Sequence, residues 1–332
     1  MFCSIKIKGN SVRFLLAIIV CLFQLTSNAQ TPEMYWGDTS RLGRPYAKDP
    51  NVIYFKGKYF LYYSLPGQDM KNWAIGIATS NDLVNWNKVG EILPESEYDK
   101  NGICAPGAII KDGKLHLFYQ TYGNWVKDAI CHAWSDDGIN FTRNKTNPIF
   151  RPTGNWTSGR AIDAEVIEFK GKYFLYYATR DTSMQYQIQG VATTPLNTDF
   201  DRSEWTNIST DSSILFPNLP WEKKCLEGAS CIVVGKWLYM FYAGAYNNEP
   251  QQIGVARSID GVHWKRVFDQ PFLPNGKPGT WNSSESGHPD IIRAENGKYY
   301  LFYQGNNDRG KTWLLSKVEV EWKKGIPVLK NP

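Results

Sequence analysis

A hairpin written five times constrains this chain more than any other feature. The first copy, residues 49–63, is an apolar run, a Gly57-Lys58 turn and a second run of alternating aromatics. Copies follow at residues 105–119 around Gly113-Lys114, 163–177 around Gly171-Lys172, 227–242 around Gly235-Lys236 and 288–303 around Gly297-Lys298. Runs rich in β-branched and aromatic residues on either side of a tight glycine turn are how two buried antiparallel strands look in sequence. A third strand segment follows, at residues 74–80, 129–135, 189–194 and 253–258. Polar turns ending in an aromatic come next, at residues 81–86, 136–141 and 259–264, and each leads to a fourth, outer strand. Asp and Gly suit these turns because they tolerate the tight backbone and cap it with side-chain bonds. The third repeat replaces the short turn with Pro195 to Trp205.

The turn glycines lie 56 to 64 residues apart, and no amphipathic helical pattern separates them. The spacing predicts an all-β fold, a five-bladed β-propeller with four antiparallel strands per blade. The many Tyr, Phe and Trp residues fit wedge-shaped packing between twisted sheets. Either the Tyr35-Trp36 segment or simple packing of blade five on blade one closes the ring.

Counting back eight positions from each turn glycine gives Asp49, Ala105, Asp163 and Glu227; the fifth copy, one residue longer, opens at His288. The first strand of each propeller blade lines the central channel, so three carboxylates and an imidazole are expected around one funnel. Acids at strand starts also cap turns or pair with neighbours such as Lys48, Arg160 or Lys224. Charges gathered at a narrow axis nevertheless repel and are costly unless used. Glycoside hydrolysis uses such a set: one carboxylic acid protonates the leaving oxygen and one carboxylate activates water or attacks the sugar. A third carboxylate raises the acid's pKa by repulsion.

The motifs Ala47-Lys48-Asp49-Pro50, Ala161-Ile162-Asp163-Ala164-Glu165 and Leu226-Glu227-Gly228-Ala229 resemble those of glycoside hydrolase family 43, over essentially the whole chain after residue 29. The resemblance implies a five-bladed propeller with Asp49 as general base, Asp163 as pKa modulator and Glu227 as general acid, with inversion at the anomeric carbon. The family's acid motif is usually Glu-Gly-Pro, its modulator usually precedes Pro, and blade two often reads Trp-Ala-Pro where this chain has Cys104-Ala105-Pro106. These departures leave every carboxylate in place and the subfamily open. An exo-acting α-L-arabinofuranosidase or β-xylosidase on plant-type glycans is the expectation. A noncatalytic carbohydrate-binding propeller, or a related glycosidase or phosphorylase of different sugar and stereochemistry, is the alternative.

His288, in Ser286-Gly287-His288-Pro289, matches a blade-five histidine that in relatives sits on the axis, sometimes beside calcium. It is therefore both a substrate-binding and a metal-ligand candidate; no cofactor is required, with Ca2+ an option at the axis. Trp73 and Trp125 are candidates for stacking on sugar faces, and Arg160 and Arg293 for bonding sugar hydroxyls.

Residues 1–29 read as a secretory signal: Lys6, Lys8 and Arg13, an apolar run over residues 14–23, and Ser27-Asn28-Ala29 as cleavage site. The run is too short to span a bilayer as a helix, and a signal anchor is the alternative. A secreted or periplasmic location follows, with residues 30–332 as a single propeller domain, since the repeats run from about residue 45 to 320 without a linker. Removing the three signal charges from the formal +5 leaves +2, which favours neither nucleic acid nor membrane as a partner. Four of the six cysteines, Cys104, Cys131, Cys225 and Cys231, remain after cleavage and are expected as buried free thiols.

Overall fold

Turn chemistry starts the first three blades. Lys56-Gly57, Asp112-Gly113 and Lys170-Gly171 all have positive φ at both residues, the two-residue hairpin turn whose twist matches the strands it joins. The computed structural model describes residues 33–330, so the signal read over residues 1–29 lies outside the described residues. Blade one is β1 (Lys48–Phe55), β2 (Lys58–Pro66), β3 (Trp73–Ser80) and β4 (Asn87–Ile92). Blade two is β5 (Ile103–Lys111), β6 (Lys114–Thr121), β7 (Ile130–Ser135) and β8 (Thr142–Arg143). Blade three is β9 (Ile162–Phe169), β10 (Lys172–Arg180), β11 (Gln187–Pro195) and β12 (Thr206–Asn207). Blade four is β13 (Leu226–Val234), β14 (Trp237–Gly244), β15 (Gln252–Ser258) and β16 (Trp264–Arg266). Blade five is β17 (Glu285–Arg293), β18 (Tyr299–Asn306), β19 (Leu314–Lys323) and β20 (Ile326–Lys330).

Each blade is a four-stranded antiparallel sheet with its strands in chain order. Each innermost strand touches the next one round, and β17 touches β1, so the ring closes. The chain is thus the five-bladed propeller that the repeats predict. Two single-turn helices, Trp125–Lys127 and Arg202–Glu204, sit in loops, and among the described residues no helix is long and apolar enough to cross a membrane.

The core is five wedges, each between neighbouring blades. Tyr62, Phe60 and Ile77 meet Leu117 and Tyr119 between blades one and two, and Tyr63, Leu61 and Ala78 meet Phe302 and Leu315 between blades one and five. Within a blade a second-strand tyrosine lies over a third-strand glycine: a Cβ at Gly76 would come within 2.2 Å of the Tyr63 ring, and one at Gly190 within 2.4 Å of Tyr177. Cys131 faces Tyr119 at the same register. The four cysteines among the described residues are free and buried.

Ring closure resolves in favour of the N-terminal segment. In blades two, three and four the outer edge of the third strand is bridged by the loop behind the fourth strand, as Ile130 with Phe150, Gln189 with Leu215 and Ile253 with Leu273. In blade five the equivalent edge residue, Leu315, bridges Trp36 instead, with reciprocal backbone bonds of 3.0 and 2.7 Å. Ser316 Oγ adds a bond to Met34 O at 2.7 Å.

Candidate active site

The innermost strands share a defect that aims side chains at the axis. Register slips between Lys48 and Asn51, Cys104 and Gly107, Tyr176 and Ala178 opposite Asp163, Glu227 and Ser230, and Gly287 and Asp290. The first bulged residue of each blade has positive φ: Asp49 (50°), Ala105 (48°), Asp163 (53°), Gly228 (55°) and His288 (41°). Bulges of this kind re-aim a side chain beside a functional site, and non-glycine residues hold such φ values at a cost of about 1–3 kcal/mol each.

This ring corrects the sequence count at one place. The residue equivalent to Asp49 and Asp163 is Gly228, and Glu227 stands one position earlier, in register with Lys48, Cys104, Ile162 and Gly287. The reason is local: in blade four Gly235-Lys236 is itself the two-residue turn, with Val234 paired to Trp237, whereas in blade one the lysine after the glycine already opens β2. Glu227 still reaches the same funnel, because its carboxylate contacts His288.

Asp49, Asp163 and His288 are buried in the lining of the axial channel, and Glu227, buried as well, joins them through His288. His288 lies between two acids, its Nδ1 3.2 Å from Asp49 Oδ1 and its Nε2 3.3 Å from Glu227 Oε1. Glu227 collects further donors: Gln187 Nε2 to one oxygen, Gln251 Nε2 to the other at 2.6 Å, and Asn247 Nδ2 at 3.4 Å. Asp163 Oδ2 accepts the Gly228 N–H at 3.3 Å. The strained backbone is pinned by the preceding blade. Gln304 Oε1 accepts the Asp49 N–H, Gln120 Oε1 the Asp163 N–H and Ser64 Oγ the Ala105 N–H, each at 2.8 Å.

These contacts separate the acids electrically. Burial raises the Asp163 pKa, and the nearby Glu227 and Asp49 charges add to this against the opposing His288, leaving it well above the carboxylate range at about 7. Burial would raise Glu227 too, but the His288 bond and charge, the Gln251 amide and Lys48 outweigh it, so Glu227 titrates below its usual range. Burial disfavours charge on His288 and is outweighed by Asp49, Glu227 and Asp163, which raise it to about 10. These shifts favour positive charge on His288 beside an ionised Glu227, and a proton on Asp163 below about 7.

The donor set also tests calcium. Asp163, Glu227 and His288 offer atoms within 4.8 Å of one another. Each His288 nitrogen faces a carboxylate oxygen, so a cation held by His288 would take one nitrogen in place of the Asp49 or the Glu227 contact and would displace the proton there.

Of the remaining expected residues, Trp73 opens β3 at the funnel's edge, with the Lys48 ammonium 5.7 Å from its ring and 4.6 Å from Trp313. Tyr46 and Tyr122 flank Trp73 at 6.0 and 5.7 Å, and Trp125, 68% exposed, stands on the same loop as Tyr122. Arg160 is near the acids but tied to Asp128 at 3.4 Å and Gln187 at 3.5 Å. Arg293 is not brought to the site. It ends β17 at the opposite hairpin, exposed against Tyr299, about 16 Å along the strand from His288 at about 3.3 Å per residue.

A second ring, of which only Trp73 is singled out from the sequence, lies beside the first. Trp73, Asp128, Gln187, Gln251 and Trp313 occupy one register, each three residues before the third-strand residue that faces the buried tyrosine. Counting back from Gly76, Cys131, Gly190 and Gly254 would have found four of them. Two residues beyond the bulge, a deeper layer of Asn51, Gly107, Glu165, Ser230 and Asp290 lines the channel. Gly107 must be glycine, because a Cβ would come within 2.3 Å of Ala164 O. Asp290 accepts Val52 N–H at 2.7 Å, and Glu165 accepts Cys231 N–H at 2.6 Å, which staples blade five to one and three to four.

Fold and funnel together define a class, the five-bladed propellers with buried acids at one mouth of the axis. A crystal structure described as a thermostable family-43 glycoside hydrolase shares this fold with a TM-score of 0.70, at 21% identity over 86% of this chain and 93% of that one. The sequence profile of "Glycosyl hydrolases family 43" matches residues 42–327, and the chain belongs to that family. It is similar to sucrose-6-phosphate hydrolase of Bacillus subtilis (strain 168), 33% identical over 82% of this chain and 54% of that protein. It is also similar to a 1,2-beta-oligomannan phosphorylase of Thermoanaerobacter sp. (strain X514), 28% identical over 60% of this chain and 64% of that protein. The chain thus spans only about half to two thirds of the length of these two curated relatives.

Proposed function

We propose that the chain is an exported glycoside hydrolase that releases terminal sugars from plant-type glycans with inversion, of α-L-arabinofuranosidase or β-xylosidase type. The observation that carries the reading is the convergence of Asp49, Asp163 and Glu227 on His288 at one channel mouth. Asp49 takes a proton from water, whose oxygen attacks the anomeric carbon as the glycosidic C–O bond breaks. Glu227 delivers a proton to the departing oxygen. Asp163, pushed up to about 7, is the proton source beside Glu227, and a water bridging the two carboxyls, whose oxygens lie within 4.8 Å of each other, would carry the proton across as charge develops. Inversion is supported by the imidazole between Asp49 and Glu227: its width plus two contacts of 3.2 and 3.3 Å suits the range of about 6.5–9.5 Å for inverting pairs rather than about 5–5.5 Å for retaining ones.

The pentoside and the exo mode rest on the family resemblance, and export on the signal read in the sequence. A nitrophenyl glycoside panel with arabinan, xylan, sucrose and a mannooligosaccharide identifies the sugar, and Glu227→Gln is expected to lose about 10²–10⁴-fold in kcat while its melting temperature holds. Full activity in that variant removes Glu227 from the mechanism. A second reading, phosphorolysis, draws on Lys48, whose ammonium at the funnel edge bonds Asn247 Oδ1 at 2.7 Å. Inorganic phosphate in the assay separates the two: sugar 1-phosphate as product favours it, free sugar alone rejects it.

A further inference from the structure

Behind the acids lies a carboxyl group that the reaction outlined above does not use. Glu285, the first residue of β17, is wholly buried, and each of its oxygens meets one donor. Oε1 accepts Gln304 Nε2 at 2.9 Å and Oε2 accepts the Asn248 N–H at 2.5 Å.

Both donors lead to the funnel. Gln304 uses its other amide atom, Oε1, to accept the Asp49 N–H at 2.8 Å, and so holds Asp49 at its positive φ. A glutamine placed between an N–H and a second group has its sense fixed by what that group accepts; burial pushes Glu285 up to about 7, but both its oxygens face N–H donors and act as acceptors, so Nε2 faces it and Oε1 faces Asp49. Asn248 follows Asn247, which donates to Glu227 at 3.4 Å and accepts from Lys48 at 2.7 Å. One buried carboxylate thus reaches Asp49 through Gln304 and Glu227 through the Asn247-Asn248 loop.

The fold does not demand an acid there. The same register holds Tyr46, Gly102, Arg160 and Cys225 in blades one to four. Burying a carboxyl is costly unless its oxygens are satisfied, and here both partners are parts of the catalytic scaffold.

We propose that Glu285 is a positioning residue that fixes Asp49 and Glu227 relative to each other, an inference that rests on the glycosidase reading. Glu285→Gln keeps the shape but has one acceptor for two donors, so an NH2 group faces either Gln304 Nε2 or the Asn248 N–H. The exchange variant Glu285→Gln/Gln304→Glu restores the pairing. The carboxylate then carried at position 304 accepts from both the Asp49 N–H and the amide placed at position 285, and the oxygen of that amide accepts from Asn248.

The experiment measures kcat, KM and melting temperature on the best nitrophenyl glycoside, with hydrogen exchange of the Asp49 amide in parallel. Glu285→Gln is expected to lower kcat about tenfold or more with KM within about threefold, and to speed exchange at Asp49. The exchange variant is expected to recover kcat to within about threefold of wild type, with slow exchange restored. Wild-type kcat in Glu285→Gln overturns the inference, as does an exchange variant that melts like wild type yet stays as slow as the single one. If Glu285→Gln does not fold, the exchange variant alone decides by the same kcat criterion. A wild-type protein inactive on every glycoside defeats the glycosidase reading instead; unchanged Asp49 exchange in Glu285→Gln then rejects this inference on its own ground.

Discussion

Gln187 and Gln251 stand at the same register of neighbouring blades, and each donates an amide N–H to a different oxygen of Glu227. Two neutral donors thus share with His288 the task of keeping Glu227 ionised at rest. A hydrogen bond to a charged group is worth about 1.5–3 kcal/mol, and one pKa unit corresponds to about 1.4 kcal/mol. Gln251→Leu is therefore expected to raise the Glu227 pKa by about one unit, read from the carboxyl signal in NMR titrations of wild type and variant. An unmoved Glu227 titration would show that the Gln251 bond does not help to set its charge.

Asp163 and His288 give up protons at different places, near 7 and near 10. A raised carboxyl pKa means that the active form, with its proton in place, is populated below that value and lost above it. The kcat/KM of the wild type is expected to decline as pH rises past about 7. A limb near 10 in its place would assign the working proton to His288.

Trp125 is 68% exposed, and its ring faces solvent beside the funnel loop of Tyr122. Aromatic contacts contribute about 0.5–1.5 kcal/mol, so Trp125→Ala is expected to raise KM about three- to tenfold on an oligosaccharide and little on a nitrophenyl glycoside. Equal effects on both substrates, or none on either, would remove Trp125 from sugar recognition.

In blade two His116 and His132 stack with Nδ1 and Nε2 3.0 Å apart, a contact that needs one donor and one acceptor and so excludes a doubly protonated pair. Burial lowers both, to about 4 and about 3 from 6.5. With folded pKa values below the unfolded one, the unfolded chain binds more protons, so stability is present above about 6.5 and declines as pH falls toward 4. Melting temperature is expected to follow that course in the wild type and to vary less with pH in His116→Gln.

The propeller was legible because five hairpins repeat the same letters, and because the small residue under each buried tyrosine keeps its place. The three acids were legible for the same reason, although Glu227 was assigned to the ring through a coincidence of spelling: Gly235-Lys236 reads like the other turns but is shifted by one residue. Arg293 was misplaced because composition does not say which end of a strand faces the funnel. Gln304, Gln120 and Glu285 act across sequence separations that no local pattern records, 255 residues in the case of Gln304 and Asp49.

The bridge from Trp36 to Leu315 ties the order of synthesis to the order of assembly. Asp49, Asp163 and Glu227 have all been made when the fourth blade begins, yet His288, Gln304 and the partner strand for residues 34–36 come only with the fifth. Contacts that distant close late and slowly. A nascent chain therefore carries its full set of acids before Asp49 has the glutamine that pins it or the imidazole that joins it to Glu227, and the last blade to emerge gives the first one its working shape.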